Sequence, residues 1–172
     1  MLTFEIPEKF LPFLHHRYID NSDDKILENM RNELSPAEFS LCQFLMEDDK
    51  YKQNALKLIP VAREGPWVVR SMIAGKPVII GNKLPISYHY EPPNKDKGLS
   101  EYLELDLDIG NSSQKAKAIV NACRQYMTSI TADIGFVIQG NRKEELPEQM
   151  LCSARLHKLN AESAPLLGSI KE

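Results

Sequence analysis

The chain has 172 residues, 42% apolar and 26% charged, ordinary values for one globular domain that buries roughly two-thirds of its unfolded surface. Its net charge of −3 argues against a general polyanion binder, so nucleic acid is not an expected partner, although a local basic patch is compatible with it. No run of about 18 apolar residues occurs, and the opening MLTFEIPEKF has neither a basic n-region nor an apolar h-region, so neither a membrane span nor a signal peptide is expected.

In chain order, Leu2 to Ile6 alternates apolar and polar residues and reads as a short strand ended by Pro7. FLPFLHHRYI is apolar but carries Pro12, which predicts an extended or irregular stretch. Asn21 to Asp24 offers N-caps for a helix through KILENMRNEL. Ser35-Pro36-Ala37-Glu38 is a capping box with proline at the first helical position, and the helix it opens should stop near Glu47 to Asp49.

From Lys57 the pattern turns to strand period. Trp67 to Ile73 is rich in β-branched and aromatic residues and reads as a strand, followed by a turn at Ala74 to Pro77 and by Val78 to Ile80. Leu84, Ile86, Tyr88 and Tyr90 alternate with polar residues as a further strand, and EPPNKDKG is a polar loop. In Tyr102 to Ile109 the leucines and Ile109 take one face, while Glu104, Asp106 and Asp108 take the other. Ala116, Ile119, Val120, Cys123, Met127, Ile130 and Ile134 recur at helical spacing, which predicts a helix over about 112–134, roughly 33 Å long, laid across the sheet. Met150 to His157 alternates as a last strand, and 161–172 reads as a flexible tail to a single domain over 1–160.

Candidate chemistry is sparse. The carboxylates Glu104, Asp106 and Asp108 share a strand face, as a metal or acid–base site requires, but the wet face of an antiparallel sheet alternates in the same way, with Arg70, Arg155 and His157 as cross-strand partners. The histidines His15, His16, His89 and His157 form no zinc spacing. Ser112-Ser113 lacks a nucleophile-elbow context and reads as a helix cap, and the glycines form no phosphate-binding loop. No cofactor is expected. Cys42, Cys123 and Cys152 form no CxxC pair and have apolar neighbours, so reduced, partly buried thiols in the cytosol are expected. Trp67 reads as a core anchor before a cavity wall, and the amphipathic helix as a sheet cover before a membrane-surface helix.

The blocks KLIP, EGPWVVR, GKPVIIGNKL, YLELDLDIG and EELPEQ, in this order and spacing, resemble the C-terminal domain of plant enhanced disease resistance two proteins over roughly Gln53 to Leu159. In that family the domain commonly follows a pleckstrin-homology and a START lipid-binding domain, and the proteins are associated with phosphoinositide-containing membranes and with negative regulation of cell death. Neither upstream domain is recognisable in these residues, so pleckstrin-homology binding is not carried over. The resemblance implies a non-enzymatic, lipid-linked module, and suggests a START-like helix-grip by analogy.

The expected fold is therefore α+β: an antiparallel sheet packed against the helix from Ser112, with additional N-terminal helices at its edge. The expected function is a non-catalytic lipid-binding or membrane-recruited regulatory module, cytoplasmic and peripheral at membranes. Trp67, Val69, Leu105, Leu107, Val120, Cys123 and Met127 would wall an apolar ligand between helix and sheet. Lys57, Arg70, Lys83, Arg124 or Arg155 would meet a headgroup. The rival is a protein-interaction domain with a solid core and an exposed apolar patch. A metal-dependent hydrolase using Asp106 and Asp108 ranks last, because it needs those carboxylates in a pocket with raised pKa values.

Overall fold

The computed structural model describes residues 2–17, 23–94, 96, 98–160 and 163, without the side chains of 15–17, 23 and 24. Strand β1 (Leu2–Glu5) leads through a 3-10 turn at Glu8–Phe10 into α1 (Leu11–Arg17), α2 (Asp23–Glu33), α3 (Pro36–Met46) and α4 (Asp49–Ala55). Pro12 falls in the first turn of α1, where its missing N–H breaks no helical bond, so the stretch expected to be irregular is helical. The predicted start of α3 is present: the Ser35 backbone N–H donates to the Glu38 carboxylate at 3.0 Å, and Lys9 donates to the same carboxylate. Asp48 caps α4 by accepting from the Tyr51 N–H at 2.8 Å. Phe10, Phe13, Leu14, Ile26, Met30, Phe39 and Cys42 close the helices around Ile6 in a core of their own. The cap residues Asn21 and Ser22 lie outside the described residues.

The rest of the chain builds two antiparallel sheets. Strands β2 (Leu56–Glu64), β3 (Val78–Ile79), β4 (Ile86–Glu91), β5 (Tyr102–Leu107), β6 (Thr131–Ile138) and β7 (Met150–His157) are joined by α5 (Trp67–Met72) and α6 (Gln114–Gln125). Their orders are β1-β5-β4 and β3-β2-β6-β7. In β5 the alternation behaves as predicted. Leu103 stands opposite Phe4 and Tyr90, Leu105 opposite Leu2 and Tyr88, and both leucines are buried while Asp106 is exposed. The main core joins Ile86, Leu103 and Leu105 of the first sheet to Leu56, Phe136 and Ile138 of the second, with Phe44 of α3 and Ala55 of α4.

The fold class is α+β, as expected, but two of its parts differ. The helix predicted over about 112–134 is α6, twelve residues from Gln114 to Gln125, and none of them is buried. Thr131–Ile138 is instead a central strand of the four-stranded sheet. The two periods collide here: Ile130, Ile134 and Ile138 are four apart, which keeps one face of a helix and equally one face of a strand. The second sheet is covered by the first and by α3 and α4, not by a long helix, so the helix-grip analogy lacks its defining element. Trp67–Met72, predicted as a strand, is a helical turn and a half. Pro66 just before it has φ −56°, compatible with helix entry, and Val69 is its one buried residue.

Candidate functional site

Seven of the twelve residues picked out by the sequence fall on α5, α6 and the turn that follows. Val69 is fully buried and packs in a small cluster with Ile130 and Ala132, against which Ile73 and Cys123 lie partly buried. This cluster fastens α5 and α6 to the end of β6, and the two helices touch. Met127 follows in the 3-10 turn Met127–Ser129, half-buried. Trp67, Arg70, Val120 and Arg124 are exposed. Trp67 is 76% exposed, which corrects the core-anchor reading, and Val120 is 39% exposed, which corrects the reading of its helix as a sheet cover.

Sequence reasoning missed four further apolar side chains on the same helices: Val68 and Met72 on α5, Ile119 on α6 and Tyr126 just beyond it, all exposed. The available signal was the apolar stripe of α6, but the sequence did not disclose that the helix ends at Gln125, too short to lie across a sheet. Ser113 accepts from the Ala116 N–H at 3.3 Å and so caps α6, as the sequence suggested for the serine pair, while the Ser112 hydroxyl donates to the Ile109 carbonyl at 2.7 Å.

The electrostatics of this face are one-sided. Arg70 is the only charged residue of α5, and Lys115, Lys117 and Arg124 are the only charged residues of α6. Arg70, Lys115 and Arg124 have no carboxylate partner among the described residues. Asp108, at the entrance to α6, is held below the usual carboxylate range chiefly by hydrogen bonds from Asn111, with a smaller contribution from Lys117. Burial pushes the Cys123 thiol up, so it stays a neutral packing group.

The other predicted residues lie elsewhere. Leu105 and Leu107 belong to the main core, with Leu105 fully buried, so they wall no space shared with α6. Arg155 lies in the four-stranded sheet, where its Nε donates to Asp133 at 2.6 Å and its Nη2 at 2.9 Å. Arg63 Nε donates to the same carboxylate at 2.7 Å. The cross-strand pairs expected of Glu104, Asp106 and Asp108 with Arg70, Arg155 and His157 are therefore not formed. His157 instead shares a hydrogen bond with Thr131 at 2.9 Å, and His89 approaches Asp106 at 4.0 Å. Lys57 is occupied by Glu148 at 2.7 Å. The side chains of His15 and His16 lie outside the described residues. No group of three His, Cys, Asp or Glu residues suited to a metal occurs among the described residues, and Asp108 shifts opposite to the direction a general acid needs.

Two clefts stand apart from this face. One, of about 260 Å³, lies between the N-terminal helices and the first sheet, lined by Leu14, Leu45, Met46, Lys52, Tyr88 and Leu103. The other, of about 190 Å³, lies between α3 and the segment entering β7. Both fall short of the roughly 300–1,000 Å³ of drug-sized ligand pockets, and neither is lined by a residue predicted to bind.

A family model described as "Protein ENHANCED DISEASE RESISTANCE 2, C-terminal" matches residues 5–160. An Arabidopsis thaliana protein described as "Protein ENHANCED DISEASE RESISTANCE 2-like" is 32% identical over 122 residues, which make up 71% of this chain and 16% of that protein. The chain thus spans about a sixth of the length of this curated relative. No solved structure matches the chain.

Proposed function

Because the chain belongs to the enhanced disease resistance two C-terminal family, we propose that it is a non-catalytic regulatory module recruited to a membrane surface through the α5–α6 face. One observation carries this reading: α6 is amphipathic, yet none of its residues is buried. A surface helix of a globular domain ordinarily turns its apolar stripe to the core. Here Ile119 and Val120 of α6 remain 36% and 39% exposed, Trp67, Val68 and Met72 of the neighbouring α5 are exposed as well, and exposed apolar surface of this kind marks a contact with something outside the chain. The indole of Trp67 suits the boundary between water and lipid, because it is apolar in body and carries one polar N–H. Docking at the surface replaces the internal ligand site expected from the sequence, since side chains of both sheets and of α3 and α4 fill the space between the sheets. A cytoplasmic location fits the three free thiols, Cys42, Cys123 and Cys152.

The second reading is a protein-interaction domain using the same face, and the filled core favours it over any internal lipid site. Flotation with phosphatidylcholine–phosphatidylserine vesicles separates the two. The domain is expected to float, and a Trp67→Ser, Val120→Ser variant to stay at the bottom while keeping the wild-type unfolding midpoint. If the wild type fails to float, membrane recruitment is wrong and the face belongs to a protein partner.

A further inference from the structure

The smaller cleft lies between α3 and the segment entering β7, and two buried polar side chains line it: Ser40 of α3, 5% exposed, and Glu145 of the 3-10 turn Lys143–Glu145, 1% exposed. Glu145 is fixed through one oxygen. Its Oε2 accepts from the Asn141 N–H, and from the Arg142 N–H at 3.2 Å. Its Oε1 is buried without a hydrogen-bond partner among the described residues, and so is the Ser40 hydroxyl. No lysine, arginine or histidine forms an ion pair with Glu145 among the described residues. The other two carboxylates of the cleft are already matched. Glu148 accepts from Lys57 at 2.7 Å through each oxygen and from the Gly140 N–H at 2.9 Å. Glu38 accepts from Lys9 and from the Ser35 N–H. A carboxylate withdrawn from water with one oxygen unmatched is costly, and a cationic donor removes that cost.

We propose that this cleft binds a primary alkylammonium group, whose N–H groups donate to Glu145 Oε1 and the Ser40 hydroxyl while its stem lies along Leu41, Ile138 and Leu151. The available acceptors select the head. An ammonium is a compact charge with three donors and suits one free carboxylate oxygen beside a hydroxyl. A guanidinium is matched by both oxygens of a carboxylate, and Oε2 is engaged by the loop amides. Calcium takes about six to eight oxygen ligands, and Glu148 is held by Lys57. The size selects the stem. About 190 Å³ is more than one bridging water fills and less than a drug-sized ligand needs, which leaves a short chain like that of lysine. Exposed Gln149 and Met150 also line the cleft, so it is reached from solvent. This site is independent of the α5–α6 face and stands whether or not that face meets a membrane.

Amide NMR of the isotope-labelled chain, titrated at constant ionic strength, tests the assignment. n-Butylammonium is expected to shift the Ser40, Asn141, Arg142 and Glu145 amides saturably, and n-butanol, with the same stem and no charge, to leave them in place. Glu145→Gln keeps an oxygen for the loop amides and removes the charge, and should weaken binding about tenfold or more. Ser40→Ala, a change that suits a helix, should weaken it about threefold. Cadaverine and Nα-acetyl-lysine-N-methylamide separate two sources of the group: tighter binding of the diamine assigns the cleft to free amines, and tighter binding of the lysine amide assigns it to a lysine side chain of another protein. Equal shifts with n-butanol make the cleft a plain apolar pocket and overturn the proposal. Calcium that shifts the same amides and displaces n-butylammonium overturns it too, as does the lack of a saturable shift with any of the amines. Unchanged affinity in both variants is equally fatal. Should Glu145→Gln fail to fold, Ser40→Ala decides alone, and wild-type affinity there overturns the site.

Discussion

Asp133 holds three strands with one carboxylate. It sits on β6 and accepts from Arg63 on β2 and Arg155 on β7, each within 2.7 Å through its Nε. The Arg155 guanidinium first, and Arg63 next, hold its carboxyl well below the usual range, and Asp133 in turn raises Arg155. The sign of the pH effect follows from a folded pKa below the unfolded one. The stabilisation is complete above about pH 4, the ordinary aspartate value, and is lost as the pH falls through the lower folded value. Asp133→Asn is therefore expected to lower the urea midpoint at neutral pH, more at low salt than at high. The gap from wild type should close as both are taken into acid, and a gap that persists there would show that the asparagine acts through packing instead. Glu38 belongs to the same class: Lys9 first and the Ser35 N–H second bring its carboxyl down to about 2, so it loses its stabilising role over the range from the ordinary glutamate value to about 2.

Among the elements, α6 and β6 are neighbours in sequence and opposites in packing. No residue of α6 is buried, whereas six of the eight in β6 are, between β2 and β7. Amide hydrogen exchange is expected to open α6 locally, far below the cost of global unfolding, and to protect β6 close to the global limit. Similar protection in both would mean that α6 is covered in solution, as by a second copy of the chain. The same pair shows what the sequence could disclose. β5 was legible because Leu103, Leu105 and Leu107 alternate with Glu104 and Asp106, and α3 because its cap is written in consecutive residues. β6 was not, because isoleucines spaced by four serve both periods, and only pairing with β2, some seventy residues earlier, decides between them. α5 misled through propensity: Trp67, Val68 and Val69 favour strands, but one buried valine on a proline-led turn was enough to make a helix. The face these helices share was half legible. Trp67, Arg70, Val120 and Arg124 were named, but as parts of a site between helix and sheet, since exposure depends on what the rest of the chain leaves uncovered.

For the molecule as a whole, the two sheets and α3–α4 share one main core, so its centre belongs to every layer at once. Leu105 is fully buried there, and Leu105→Ala should cost about 2–5 kcal/mol through lost burial and the cavity left behind. Chemical denaturation followed by circular dichroism should still show one transition with a lower midpoint. Two separated transitions would mean that the sheets are independent units.

The pairing of β2 with β6 also sets an order of events during synthesis. β2 leaves the ribosome early, with only the two-residue β3 to come on one side, while its other neighbour is made after the whole of β4, β5 and α6. Until Thr131–Ile138 emerges, the nine residues Leu56–Glu64 carry a bare hydrogen-bonding edge. A nascent chain stalled after α6 is thus the form of this protein with most need of a chaperone, and the one readiest to pair with a neighbour on the same message.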